Sequence, residues 1–79
     1  MMKNSIWLLP IGSRAYISTV ETCPGLHRRL MELGFCPGHP VRKLLQNRCM
    51  AAYLVQGTVI ALRKDDAMNI ITEEGATWD

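Results

Sequence analysis

Two kinds of apolar spacing divide this chain. From Arg14 to Val20 the residues alternate, with Ala15, Ile17 and Thr19 on one side and Tyr16, Ser18 and Val20 on the other, which predicts a β-strand. Two further runs, Met50–Val55 and Thr58–Arg63, flank Gln56-Gly57, where the glycine can take the positive φ of a two-residue hairpin turn. Residues 41–46, set between Pro40 and Asn47, suit another strand, and residues 70–72 a last one. The other spacing is helical: Leu26, Leu30 and Leu33 fall at i, i+4 and i+7 and share one face, while Arg28, Arg29 and Glu32 point elsewhere. Gly34 follows the last periodic leucine, where a left-handed residue ends a helix. Phe35 then falls where it can touch Leu30, and Pro37 prevents the helix from resuming. Pro24 suits the first helical position or a turn, and Asp65 is placed to cap a helical turn through Asp66, Ala67 and Met68.

About five short strands, with one short α-helix after the first and a helical turn before the last, predict a mainly β fold, a small antiparallel β-barrel. Closure is the physical reason for the barrel, because a flat sheet of so few short strands would expose unpaired edges. Ile17, Leu44, Leu54, Ile60 and Ile70 are the expected core, with Leu30 and Leu33 lying across one open end. Trp7 and Trp78 are expected to be exposed near the termini, and residues 73–79 to fray.

Composition narrows the class. A chain of 79 residues allows a single domain over 1–79, with its ordered part at about 5–72. The formal charge of +2 is weak and its basic residues form no run, so nothing demands nucleic acid or an anionic membrane. Tyr16 and Tyr53 are isolated among strand residues and make no stacking platform for a nucleic acid. No apolar stretch approaches the ~20 residues of a membrane span, and Pro10 interrupts the short apolar segment after Lys3, unlike a signal peptide. The expectation is a soluble cytoplasmic protein without direct membrane insertion. Cys23, Cys36 and Cys49 are an odd set in an ordinary composition, which argues for free thiols over a disulfide framework.

Catalytic constellations are missing, so the chain reads as a non-enzyme. It has no glycine-rich phosphate loop and no plausible serine, histidine and aspartate set, and capping accounts for Asp65-Asp66. Cys23-x-x-x-His27 followed by Cys36-x-x-His39 has the look of a zinc spacing. A helix between Cys23 and Cys36 would hold the two sulfurs roughly 15–20 Å apart. Cys23, His27 and His39 are left as weak metal candidates, and no stable cofactor is assigned. Cys36, beside a turn, is a candidate redox thiol.

The order of these features resembles the FeoA family. Carrying that resemblance are Leu9-Pro10-Ile11-Gly12 before a strand and the run from Leu26 through Arg29-Leu30-Met31-Glu32-Leu33-Gly34-Phe35 to Pro37-Gly38. Val41, Val59-Ile60-Ala61-Leu62-Arg63 and the segment from Ala67 to Ile71 complete it. The resemblance implies an SH3-like barrel and an accessory protein of bacterial ferrous iron uptake that docks on the cytosolic part of FeoB, a GTPase-linked membrane iron permease. With the family in view, Arg28, Arg29, Met31 and Phe35 are the expected partner-binding residues. Any contact with ferrous iron would be transient, and self-association stays open. The alternative is a free-standing transition-metal-binding or metal-sensing SH3-like domain, related to the C-terminal domain of metal-dependent repressors.

Overall fold

The computed structural model describes residues 3–73. Six strands are present: β1 (Lys3–Ser5), β2 (Arg14–Val20), β3 (Pro40–Gln46), β4 (Met50–Val55), β5 (Thr58–Arg63) and β6 (Ile70–Glu73). Helix α1 (Pro24–Leu33) follows β2, and the four-residue α2 (Lys64–Ala67) separates β5 from β6. The strands form one antiparallel sheet in the order β1-β6-β2-β3-β4-β5. The additional strand is β1, which pairs with β6 through Lys3↔Glu73 to Ser5↔Ile71. Ile6–Leu8 then turns as a 3-10 helix, so Ile6 and Trp7 enter the core where an exposed apolar terminus was expected. Trp78 and residues 74–79 of the expected frayed tail lie outside the described residues, whereas Glu73 is paired in β6.

The sheet curls without closing, because β1 and β5 do not pair. The turn at Ile6–Leu8 and α2 meet between those edges. There Trp7 has two ammonium groups over its ring, Lys43 Nζ at 5.4 Å and Lys64 Nζ at 5.8 Å from the ring centroid. Such placements over an indole are attractive by about 0.5–2 kcal/mol. The two short helices and the mainly antiparallel β architecture are as expected, and the open seam is where a closed barrel was expected.

Two bulges decide which side chains face inward. In β2 the register with β6 shifts between Ile17 and Thr19, so Ala15, Ile17 and then Val20 are buried, where strict alternation would have turned Val20 outward. In β3 it shifts between Lys43 and Leu45: Val41 and Lys43 point inward, Leu44 is only half-buried, and Leu45 is 61% exposed. Leu44 is therefore not the core residue expected of it. Leu54 is outward as well, because β4 buries Ala51, Tyr53 and Val55. Ile60 packs half-buried against the core, while Ile17, Leu30 and Ile70 are fully inside.

The cost of this arrangement is a lysine in the interior. Lys43 is 1% exposed, and its ammonium donates to the Trp7 carbonyl and to Gln46 Oε1. Gln46 can accept because the bulge at Leu44 turns it, paired with Ala51, toward the inner side. Loss of water lowers the Lys43 pKa from its ordinary 10.5. Its folded form therefore gives up its proton before the unfolded chain does, and stability rises with pH through the lowered value toward 10.5. Burial raises the Tyr53 phenol above its ordinary 10.0, which works the other way at higher pH, where only the unfolded chain ionises. Urea titrations should show wild-type stability increasing with pH up to about 10, and Lys43→Met should remove that increase.

Candidate functional site

Helix α1 starts at Pro24, a position that needs no N–H, after Cys23 in extended conformation (φ −66°, ψ 155°). Its stop follows from the sequence. Gly34 is left-handed at φ 110°, its N–H donates to Met31 O at 3.0 Å, and the Phe35 N–H donates to Leu30 O at 2.9 Å, the paired bonds of a Schellman ending. A side chain at Gly34 would be strained by that φ and would meet Gln56 Cγ at 2.8 Å. Glycine is thus required twice, once by the backbone and once by the β4–β5 turn that packs against it. That turn is itself left-handed at both positions, Gln56 at φ 51° and Gly57 at φ 76°, and Gln56 Nε2 reaches His39 Nδ1.

The expected partner-binding residues separate into surface and support. Arg28 and Arg29 are exposed, and Met31 is half-buried with its side chain against the core. Phe35, expected at the surface, is 0% exposed and packs edge-on to Tyr53 with ring centroids 6.4 Å apart. It cannot touch a partner; the chain reversal at Gly34 turns it inward, where it supports α1 from below. Of the expected leucine face, Leu30 is 1% exposed, but Leu33 is 38% exposed and does not seal the barrel end.

Leu33 instead helps line a groove of about 260 Å³ between α1 and β5. Leu26 and Leu30 of the helix and Ala61 and Leu62 of the strand make its apolar walls, with Arg29 and Arg63 on its two sides and Asp66 also lining it. Sequence reasoning passed over Arg63 and Leu33 as groove residues. The available signal was the uncharged run from Thr58 to Leu62, which reads equally as a central strand or an unguarded edge. A second hollow, about 400 Å³, lies by the β4–β5 turn, with Arg14, Arg42 and Leu54 among its lining.

Cys23 is exposed, and His27 and His39 are half-buried. The three do not form a cluster: among the described residues no three of His, Cys, Asp and Glu are placed to hold a metal ion. His39 turns toward Gln56, and the Cys36 thiol donates to Met31 O at 3.4 Å, helping to close the helix end. Asp65 lies within α2, whose N-cap is Arg63, and no side chain caps it; the expected capping role is not observed. Among the described residues no helix is long and apolar enough to cross a membrane.

No curated protein matches the chain. The solution structure of the FeoA protein from Chlorobium tepidum is 25% identical, with a TM-score of 0.79 over 95% of this chain and 80% of that one. The crystal structure of Stenotrophomonas maltophilia FeoA complexed with zinc, described as a prokaryotic SH3 domain protein, is 28% identical, with a TM-score of 0.77 over 92% and 91%. A manganese-dependent transcriptional repressor in complex with manganese shares the fold, with a TM-score of 0.84 at 15% identity, and this chain spans 36% of its length. The FeoA domain model matches residues 7–74, from the buried Trp7 through the left-handed Gly34 and past the last strand, and the chain belongs to the FeoA family.

Proposed function

We propose that this chain is a non-enzymatic accessory protein of bacterial ferrous iron uptake that docks on the cytosolic part of the FeoB-type permease. Family membership supports the iron-uptake setting, and S. maltophilia FeoA is itself described as a candidate ferrous iron transport activating factor. The observation that carries docking is the orientation of α1. Its Leu30 face is packed on the core, which leaves Arg28 and Arg29 exposed and adjacent on a helix whose C-terminal end is fixed by the Gly34 reversal. Arginine suits such a surface because its planar fork can bond a partner's carboxylates bidentately.

The double variant Arg28→Glu/Arg29→Glu should keep its fold, since both side chains are exposed, and should retain the permease's cytosolic region in co-purification at least about tenfold less well. Retention equal to wild type would sink the docking role of this face. A second reading, a free-standing metal-binding or metal-sensing domain, draws on the zinc in the S. maltophilia relative and the repressor likeness. It ranks second because Cys23, His27 and His39 do not converge, and ferrous iron favours imidazole and carboxylate sets over thiolates. Anaerobic titration with Fe²⁺ giving a tight stoichiometric complex would reverse that order.

A further inference from the structure

Among the described residues strand β5 ends the sheet and pairs with β4 alone. Counting out from the two-residue turn, Thr58, Ile60 and Leu62 exchange main-chain bonds with Val55, Tyr53 and Ala51. The N–H and C=O groups of Val59 and Ala61 therefore face away from β4, and among the described residues no other backbone group bonds them. Edges of this kind are commonly guarded by lysine, proline, a bulge or a covering element. The run Thr58-Val59-Ile60-Ala61-Leu62 has no charge and no proline, and its register with β4 is unbroken. The groove beside α1 takes lining from Ala61 on the outer face of β5 and from Leu62 on the inner face, so it follows the unpaired edge itself.

We propose that an extended, acidic and apolar segment of another protein adds to β5 as a further strand, lying in the groove between β5 and α1. Main-chain bonds to Val59 and Ala61 would supply affinity, and alternate apolar side chains would meet Leu26, Leu33 and Ala61. Charge selects the occupant. Arg29 and Arg63 stand on either side against the single Asp66, so a second copy would bring like charges together, whereas an acidic segment meets opposite ones. The proposal rests on the docking reading above and gives it a mode of contact.

The test uses the full ¹⁵N-labelled chain and a capped peptide, Glu-Val-Thr-Val-Asp-Val-Glu. Binding should slow amide exchange at Val59 and Ala61 and move resonances along β5 and α1. Ala61→Pro removes a donor that β4 does not use, so it should spare the hairpin while weakening the peptide about tenfold or more. Arg63→Glu, at an exposed position at the end of β5, should weaken it comparably while leaving the main-chain groups of Val59 and Ala61 in place. Unchanged exchange at Val59 and Ala61, or binding by both variants as tight as by the wild type, overturns strand addition. So does a concentration-dependent doubling of mass that Ala61→Pro abolishes, since the occupant is then a second copy. If the permease's cytosolic region is retained by Ala61→Pro and lost by Arg28→Glu/Arg29→Glu, the docking reading stands and strand addition falls. If the peptide protects the edge while the permease region is never retained, the converse holds.

Discussion

Phe35→Ala should destabilise this chain by about 3–5 kcal/mol, a large share of the margin of a domain this small. Phe35 is wholly buried, and its edge-on contact with Tyr53 ties the segment after α1 to the centre of β4. Truncation leaves a cavity where that ring was and removes an aromatic contact worth about 0.5–1.5 kcal/mol. A chain of 79 residues has about 4–12 kcal/mol of stability to lose. The urea midpoint should fall steeply with little change in slope, and Phe35→Leu should fall less because it leaves a smaller void. A change under 1 kcal/mol would mean that the Gly34 reversal does not seat Phe35 in the core.

Gly34→Ala should cost about 2–5 kcal/mol, from two sources that can be separated. The left-handed backbone costs a non-glycine residue about 1–2 kcal/mol, and overpacking against Gln56 and Val55 adds about 1–3 kcal/mol. Gln56→Gly removes the atom that a new Cβ would meet at 2.8 Å but leaves the φ of residue 34 untouched. In a double-mutant cycle the coupling between the two sites should therefore be about 1–2 kcal/mol, and the backbone part should persist in the double variant. Zero coupling would mean that the helix end and the hairpin turn are independent.

How much of this was legible in the sequence depends on whether one residue or a register decided the outcome. Gly34 and Gly57 are single-residue signals with one physical meaning each, Pro24 suited either a turn or the first helical position, and the end of α1 and the hairpin appear where the glycines demand. Inside-or-outside assignments failed where a bulge changed the count. Nothing in Val41-Arg42-Lys43-Leu44-Leu45-Gln46 announces an extra residue at Leu44, and without it Lys43 looks like solvated surface and Leu44 like core. Tyr53 was likewise passed over for Leu54, because its hydroxyl finds the distant Ile6 carbonyl, at 3.1 Å, only once the N-terminal turn is in place. The candidate site shows the same division. Arg28 and Arg29 could be placed from helical periodicity, but the groove needs two elements brought together by the tertiary fold, and Phe35 changed role when the chain reversed beneath it.

The pairing of β1 with β6 sets Lys3 opposite Glu73, so polypeptide arriving and polypeptide departing are neighbours on the same pair of strands. A fold with that layout is portable. A chain that continued from it would leave from the β1–β6 pair, at the opposite edge of the sheet from β5, and the manganese-dependent repressor holds the same fold within a longer chain.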